Sequence, residues 1–526
     1  MTKELTASHA IEIEVFKHLF AAIAEEMGVC LMRSAYSPNI KERRDFSCAL
    51  FDASCQMIAQ AAHIPVHLGS TPMSVQAALK HFFPDEMKSE DRFVLNDPYD
   101  GGTHLPDITV IAPCILPGES RPRFYVVNRA HHADVGGKTA GSLPISDHID
   151  DEGVLIKPQK LTRETIDWIC SHSRTPDERY GDLQAQNAAL EVGIKRLQGL
   201  CEQYTPEKVS AYAGYVQDYT ERMVRHLLGS LPDGKYTFED VLDDDGLGNE
   251  SIKIHCIIDI SGDEACVDFT QSDEQVTGPV NAVRAIAVSA VHYVFTCLTT
   301  VEIPSNAGVM RPIQVKTRSG SIVDAVYPAP VVGGNVETSQ RIVDILFGAL
   351  AKAIPERIPA ASCGSMNNVA MGGMDPRFQT PFAYYETIAG GAGATPFGQG
   401  GSAVHTHMTN TLNTPVEALE HAYPMQIGTY RICELSGGKG VYSGGNGLVR
   451  SYVFTTPTQV TLLTERRHSR PYGLAGGEAG QPGKNILVGV DGKRKELPGK
   501  INLEVQAGEC LEMTTPGGGG WGKENV

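Results

Sequence analysis

NDPYDGGTHLPD (residues 96–107) and RAHHADVGGKTAGS (residues 129–142) are the two segments from which we predict the fold and the chemistry of this chain. Both segments combine glycine-containing turns with histidine and aspartate. The run FYVVN at residues 124–128 directly precedes the second segment and has the aromatic and β-branched composition of a strand. Because a short crossing separates the two turn-rich segments, we expect them to converge on one point.

The side chains of these segments suggest a metal site. His104 and Asp107 lie three residues apart in the first segment, and the second carries His131, His132 and Asp134. Imidazoles and carboxylates that converge from two loops form a site of borderline hardness, which suits Zn²⁺, Mn²⁺ or Fe²⁺. A missing fourth protein ligand would leave a position for water or substrate, as catalytic sites require. The alternative is a hydrogen-bonded network without a metal.

Other histidines and one acid are further candidates. Asp45 follows the basic run KERR and precedes a strand-like segment, so it is either a metal ligand or a partner in a surface ion pair. His63 and His67 flank a proline, and we expect them to line a cleft or bond to backbone groups. His405 and His407 would share one face of a strand, where they either bind a metal or line the same cleft.

The composition predicts an ordinary globular protein with 41% apolar and 20% charged residues. A net charge of −17 argues against a nucleic-acid or anionic-membrane partner, because such partners need a basic surface. Glu12 and Glu14 interrupt any secretory apolar segment, and the longest apolar run, near residues 285–298, is too short to span a bilayer. The 12 cysteines form no CxxC pair, so we predict that most of them are buried thiols and that the location is cytoplasmic.

Periodicity predicts an α+β fold, a multidomain mixed α/β chain with a β-rich C-terminal module. We predict an N-terminal metal-bearing α/β domain at residues 1–231 and a central α+β domain at residues 232–424, which opens at a PDG turn. Short strand patterns and glycine turns predict the β-rich module at residues 425–526.

Two stretches have helical periodicity. At residues 8–30, Ile11, Val15, Leu19, Ile23 and Met27 recur every four residues and form the expected apolar face. The second helical stretch, at residues 183–230, ends at a glycine that is followed by a proline.

Nucleotide-binding motifs of a standard kind are not found in the sequence. HADVGGKT, at residues 132–139, lacks the first glycine and the glycine-rich cradle of a phosphate-binding loop. The GxGxxG match at Gly517, Gly519 and Gly522 has no helix after it that could hold a dinucleotide. If the reaction needs ATP, we expect another subunit to bind it.

A set of long motifs, in order along nearly the whole chain, resembles the hydantoinase B/oxoprolinase family. The motifs are RSAYSPNIKERRDFSCALFD, NDPYDGGTHLPDI, AHHADVGG, GDLQAQ, VDFTQS, HMTNTLNTPVEALE, SGGKGVYSGGNGLVR, ERRHSRPYGLAGGEAG and PGGGGWG. This family includes the B subunits of N-methylhydantoinase and caprolactamase, and related subunits of acetone and acetophenone carboxylases. The resemblance implies a metal-bearing enzyme subunit that works with an ATP-binding hydantoinase A-type subunit, in an expected A2B2 hetero-oligomer with ATP and Mg²⁺ on the partner.

The resemblance also assigns roles to individual residues. The implied metal ligands are Asp45, His104, Asp107 and His131. His132 and Asp134 are then predicted to act on the proton or to orient a ligand, because a carboxylate beside an imidazole fixes its tautomer. Successive side chains of an extended segment point to opposite faces, so His132 reaches the site only if the backbone bends. The alternative is that His132 bonds to a neighbouring backbone carbonyl.

The resemblance implies ATP-dependent opening of a cyclic amide, which is a hydantoin, a lactam or a 5-oxoproline-type ring. Phosphoryl transfer in the partner would activate the amide, and the metal would polarise the carbonyl or activate water. The alternative within the family is a subunit of an ATP-dependent ketone carboxylase, where the metal would stabilise an enolate. An alternative outside catalysis is a scaffold for the A-type subunit, which would need no metal.

Overall fold

The computed structural model of the chain describes residues 7–61 and 63–524, so residues 1–6 and 525–526 of the predicted terminal domains lie outside it. The helices are α1 (Ala7–Ser34), α2 (Pro38–Lys41), α3 (Ser70–His81), α4 (Arg163–His172), α5 (Pro176–Tyr204), α6 (Pro206–Gly229), α7 (Arg284–Cys297), α8 (Ser339–Leu350) and α9 (Val416–Ala422). A turn of π-helix, Gly334–Thr338, leads directly into α8. In the described part of the chain, no helix is both long and apolar enough to cross a membrane.

The strands of the first half are β1 (Phe46–Asp52), β2 (Met57–Gln60), β3 (Phe93–Leu95), β4 (Asp107–Cys114), β5 (Phe124–His131), β6 (Gln159–Lys160), β7 (Gly234–Asp244), β8 (Glu250–Ser261), β9 (Glu264–Asp268) and β10 (Ile313–Lys316). The strands of the second half are β11 (Asn368–Asp375), β12 (Thr380–Glu386), β13 (Met425–Ile432), β14 (Leu448–Phe454), β15 (Thr458–Leu463), β16 (Lys484–Val488), β17 (Arg494–Leu497), β18 (Lys500–Val505) and β19 (Cys510–Thr514). Together with the helices they confirm the predicted α+β fold class.

The N-terminal sheet has the strand order β2-β1-β5-β4-β3-β6, and its paired strands run antiparallel. Every residue of β4 and β5 is buried, because helices cover both faces of the sheet. Residues such as Phe46 and Ala130 on one face pack with α1 and α5, whereas Phe51 and Val127 on the other face pack with Val75 of α3. A sheet covered on both faces explains the near-continuous apolar runs in these strands.

Helix α1 confirms the helix predicted from residue 8, but its buried face differs from the predicted stripe. Ile11 is 65% exposed and Val15 is 42% exposed, whereas Phe16 and Phe20 are buried. The aromatic side chains of α1 pack against α5 and α6, and this packing rotates the N-terminal half of the predicted stripe toward solvent.

The central sheet has the order β10-β9-β8-β7 and includes the hairpin of β8 and β9. Every residue of helix α8 is buried. Strands β11 and β12 pair with β15 and β18 in the order β12-β11-β15-β18, so this sheet combines segments from before and after residue 424. Another sheet, β13-β14-β19-β16-β17, completes the β-rich C-terminal part. The predicted domain boundaries stay predictions.

Glycine-rich segments of the C-terminal part bond to one another through their backbones outside the regular strands. Gly445 donates to the carbonyl of Ala392, and Gly518 donates to the carbonyl of Gly445, at 2.8 and 2.9 Å. A Cβ atom on Gly445 would lie 1.9 Å from the carbonyl oxygen of Gly401. Such close contact between backbones requires glycine. The glycines of PGGGGWG therefore serve the packing of these segments.

Candidate metal centre

Neighbouring strands bring Asp45, Asp107 and His131 to one end of the N-terminal sheet. His131 is the last residue of β5 and pairs with Asp107, the first residue of β4. On the other side of β5, the backbone N–H of His131 donates to the carbonyl of Asp45, just before β1, at 3.0 Å. Side chains of facing residues on adjacent strands project to the same face of a sheet. The strand register therefore places these three residues in a row.

His104 joins this row through the turn that precedes β4. Its Nε2 atom lies 3.1 Å from Oδ1 of Asp107, and Nδ1 of His131 lies 3.3 Å from the same oxygen. His104, Asp107 and His131 are buried, and possible ligand atoms of all three lie within 4.8 Å of one another. Among the described residues no other group of histidine, cysteine and acids meets that criterion.

The separations in this group fit a metal ion. Oδ1 of Asp107 forms no hydrogen bond with any described residue, although the atom is buried. Neighbouring ligand atoms around an ion with bonds of about 2.0–2.1 Å lie roughly 3.0–3.4 Å apart. The nitrogen–oxygen separations of 3.1 and 3.3 Å fall in that range. The residues present therefore fit a divalent ion.

The turn that carries His104 is fixed by Asn96 and Gly102. The Asn96 side-chain amide donates to the carbonyl of Leu105 at 2.7 Å and accepts from the N–H of Ile156 at 2.6 Å. A Cβ atom on Gly102 would lie 2.3 Å from the carbonyl oxygen of Asn96, so the chain can fold back here only with glycine. The segment NDPYDGGTHLPD is thus a rigid support for a ligand.

The second oxygen of Asp107 is held by protein groups. Oδ2 accepts from the hydroxyl of Thr103 at 2.8 Å and lies 3.2 Å from Nε2 of His67, whose other ring nitrogen meets the hydroxyl of Ser47 at 2.9 Å. The sequence led us to expect His67 to line a cleft or bond to backbone, and its contact with Asp107 was missed. His63 lies outside the group of converging ligand atoms.

Burial and neighbouring groups set the charge of the site. Burial alone would raise the pKa of Asp107, but the His104 and His67 rings hold that pKa well below its usual range. Burial lowers the pKa of His131 and of His67. An ionised carboxylate and neutral imidazoles are the forms that bind metals.

Asp45 lies beside this group without belonging to it. Burial raises the pKa of its carboxyl, opposed by His131 and Arg43. Its Oδ2 atom is 3.9 Å from Nη2 of Arg43. The structure thus brings together His104, Asp107 and His131 and places Asp45 at their margin, where its role as a ligand stays a prediction.

Tyr385, which the sequence gave no reason to select, packs on a ligand. Its ring stacks on that of His131, with centroids 4.8 Å apart and planes inclined by 20°. The guanidinium carbon of Arg43 lies 4.7 Å from the Tyr385 ring centroid, and Arg43 donates to the Tyr385 carbonyl at 2.8 Å. Asn39 donates to the carbonyl of His131 at 3.0 Å. Strand β12 and the segment around α2 therefore fix this ligand from two sides.

His132 points to the face of the sheet that α5 covers, opposite to His131. Its Nε2 atom lies 2.9 Å from Oε1 of Gln186 in α5, and the amide nitrogen of Gln186 donates to the carbonyl of Ile108 at 2.9 Å. Burial, together with the nearby charge of Arg179, lowers the pKa of His132 to about 4. The ring is therefore neutral near pH 7.

Asp134 braces the loop that follows β5. Its carboxylate accepts from the N–H of Gly136 at 3.1 Å and from Nη1 of Arg174 at 2.9 Å. Neither Asp134 nor His132 belongs to the converging group, and their predicted role in proton transfer stays a prediction.

His405 and His407 do not lie on a strand, so the predicted shared strand face is wrong. His407 has a positive φ of 58°, and the preceding Gly400 and Gly401 belong to the glycine-rich packing described above. Nε2 of His407 lies 3.5 Å from Oδ1 of Asp344, in a separate buried cluster.

The mixed fold and the buried His–Asp–His group at the end of a sheet define a candidate metalloprotein. Residues 9–524 match the family described as Hydantoinase B/oxoprolinase. The chain belongs to this hydantoinase B/oxoprolinase family, as the motifs predicted.

The chain is similar to a named 5-oxoprolinase and to two solved structures. 5-Oxoprolinase 1 of Arabidopsis thaliana is 40% identical over 97% of this chain, which spans 42% of that relative's length. The crystal structure of ATP-dependent caprolactamase from Pseudomonas jessenii matches with a TM-score of 0.91 and 28% identity, over 98% of this chain and 92% of that one. A nucleotide-free structure of acetone carboxylase has a TM-score of 0.90 over 99% of this chain and 77% of its own, but its 17% identity shows the fold alone.

Proposed function

We propose that this chain is the metal-binding component of an ATP-dependent cyclic amide hydrolase that opens a hydantoin, lactam or 5-oxoproline-type ring. The observation that carries the proposal is the convergence of His104, Asp107 and His131 in a family whose relatives include a 5-oxoprolinase and a caprolactamase. Because the sequence offers no standard nucleotide-binding loop, we propose that a hydantoinase A-type subunit binds ATP and Mg²⁺. An A2B2 complex in the cytoplasm is part of this proposal.

Some residues of the site would hold an ion, and others would shield it from water. His104, Asp107 and His131 would hold a divalent ion (Zn²⁺, Mn²⁺ or Fe²⁺), with Asp45 as a further carboxylate. When bound, the ion would polarise the amide carbonyl and make water a better nucleophile near pH 7. The hydrogen bonds to Oδ2 of Asp107 leave its Oδ1 free to face the ion. The Tyr385 ring covers His131 and keeps bulk water from that ligand.

His132, supported by Asp134, would shuttle a proton to the leaving nitrogen: its neutral ring would first accept the proton released by the attacking water and then donate it. A neutral imidazole can accept a proton, but the ring would have to exchange its contact with Gln186 for one with substrate or water. The kinetics of a His132 variant therefore tests this role.

A ketone carboxylase subunit is the second candidate function, and the shared fold with acetone carboxylase is the observation in its favour. The metal requirements of the two reactions are nearly the same. Their co-substrates differ, because carboxylation consumes bicarbonate and amide hydrolysis does not.

One experiment separates these functions. The chain, purified with its A-type partner, is tested for ATP turnover with 5-oxoproline, hydantoin, caprolactam and small ketones, with and without bicarbonate. We expect turnover with a cyclic amide that is independent of bicarbonate and absent in a complex containing His104→Ala. Bicarbonate-dependent turnover of a ketone would establish the carboxylase instead. Tight ATP binding by this chain alone would contradict the assignment of ATP to the partner.

A further inference from the structure

The turn of π-helix before α8 lies against the metal centre. Its second residue, Asn335, is buried, with 4% of its surface exposed. Nδ2 of Asn335 lies 3.1 Å from Nε2 of His104. Oδ1 of Asn335 forms no hydrogen bond with any described residue. A π-helical turn at the start of a helix often marks a functional site, and here it places an unsatisfied carboxamide beside a metal ligand.

The position of this carboxamide continues the spacing of the ligand atoms. The separation of 3.1 Å from His104 equals the separation between His104 and Asp107. The nitrogen and the oxygen of an asparagine side chain are nearly indistinguishable in shape, so their assignment follows from the surrounding groups. With an ion on Nε2 of His104, an N–H aimed at the same lone pair would have no acceptor. Rotation of the amide by 180° instead brings Oδ1 to the ion.

We propose that the side-chain oxygen of Asn335 is a further ligand of this metal centre. The inference rests on the metal centre of the proposed function and extends it to a residue more than 200 positions away in the chain. With Asp45 as the further carboxylate of the proposed function, Asn335 would bring the protein ligands to five, one more than in a zinc tetrahedron. Such a set favours Mn²⁺ or Fe²⁺ over Zn²⁺.

The backbone around Asn335 is built to hold the side chain in place. A Cβ atom on Gly334 would lie 1.8 Å from the carbonyl oxygen of Asn281, so glycine is required for this approach. The hydroxyl of Ser339 donates to the carbonyl of Asn335 at 2.7 Å. Two residues further on, the buried carboxyl of Glu337 accepts from the side-chain amide of Asn368 at 2.6 Å. These contacts tie the turn to its neighbours on both sides of Asn335.

A set of substitutions tests whether Asn335 offers an oxygen to the metal or a hydrogen bond to His104. Asn335→Leu removes both, and Asn335→Asp keeps an oxygen but removes the N–H. Gln340→Leu is the matched control, because Gln340 is a buried carboxamide in α8 with an unsatisfied oxygen and lies outside the converging group. Affinities of the purified full-length chains for Mn²⁺ and for Zn²⁺ are measured by calorimetry, and thermal unfolding of the apo proteins reports folding.

We expect Asn335→Leu to weaken Mn²⁺ binding at least about tenfold, since even changes outside the ligand shell cost about 10–100-fold. The loss for Zn²⁺ should be smaller. Asn335→Asp should bind Mn²⁺ as tightly as the parent or more tightly, because a carboxylate offers oxygen with added charge. Gln340→Leu should bind both metals like the parent.

Each other outcome has a distinct meaning. Parental affinity in Asn335→Leu overturns the inference, and equal losses in Asn335→Leu and Asn335→Asp overturn it in favour of a donor that braces His104. If Asn335→Leu does not fold, Asn335→Asp decides alone, because loss of Mn²⁺ binding there excludes an oxygen ligand. A parent chain that binds neither metal refutes the metal centre of the proposed function, and this inference with it.

Discussion

Two buried clusters of histidine and carboxylate, one around Asp107 and one around Asp344, differ in what surrounds the carboxylate. Among the described residues, the ion-pair partners of Asp107 within 4.0 Å are the histidines at positions 67, 104 and 131. Asp344 has a histidine beside one oxygen, but Nη2 of Arg466 lies 3.6 Å from the other. The Asp107 carboxylate thus has no arginine or lysine within 4.0 Å among the described residues, whereas the Asp344 carboxylate has Arg466 beside it.

The difference teaches that residue types alone do not define a metal site. In the second cluster a divalent ion would meet the buried guanidinium of Arg466, and repulsion inside a protein is strong because the effective dielectric constant is low. In the first cluster Oδ1 of Asp107 forms no hydrogen bond with any described residue, so an ion would satisfy it. The following experiments test this contrast.

The largest effect is expected from removing a ligand of the first cluster. His104→Ala should lower metal affinity by more than about 100-fold, because changes in groups that only support ligands already cost about 10–100-fold. Turnover of the complex should disappear with the metal. Elemental analysis of the purified chains gives the metal content. His407→Ala, in the second cluster, is the matched control and should retain the parental content; equal content in both variants would remove the contrast.

The two faces of strand β5 provide the next test. His132→Gln should keep the metal and the partner subunit but lose roughly 10²–10⁴-fold in turnover, the usual size of general acid–base catalysis. Steady-state kinetics of the complex measures the loss, and metal analysis shows that His131 on the opposite face still binds. Near-parental turnover would mean that His132 serves to hold Gln186 against the sheet.

A smaller effect is expected from the ring that covers His131. Tyr385→Leu should weaken metal binding by about 10–100-fold, because it removes the stacking that orients a ligand. Tyr385→Phe keeps the ring and loses only the hydroxyl that donates to Asn368 at 2.8 Å, so it should bind like the parent. Calorimetric titration of the apo chains compares them. If both variants weaken binding equally, the hydroxyl contact and not the stacking orients the site.

The sequence predicted the residues of the site whose positions depend on local chain geometry. His104 and Asp107 share a turn, and a single crossing separates that turn from His131, so their convergence follows from short-range rules. His67 and Tyr385 could not be selected, because their places depend on how distant segments pack. Periodicity predicted the fold class, but α1 shows its limit: the aromatic residues Phe16 and Phe20, rather than Ile11, face the core.

The smallest expected effect concerns a buried histidine with no carboxylate partner identified in the structure. His292 lies in α7, next to the residue that contacts His407, and its Nε2 forms no hydrogen bond with any described residue. Burial lowers its pKa from 6.5 to about 4. The unfolded chain therefore binds a proton at His292 as the pH falls through about 6.5, whereas the folded chain stays unprotonated until about pH 4. This proton uptake favours unfolding at acid pH.

His292→Leu should remove this contribution to acid sensitivity. Between pH 7 and pH 5.5 the free energy of unfolding of the parent should fall by about 1 kcal/mol more than that of the variant, since each pKa unit corresponds to about 1.4 kcal/mol. Urea denaturation at the two pH values, followed by circular dichroism, measures the difference. Any direct cost of the substitution is common to both pH values and cancels. Equal acid sensitivity in the two chains would show that His292 is protonated or partnered in the folded state. Burial alone would then not keep this histidine neutral.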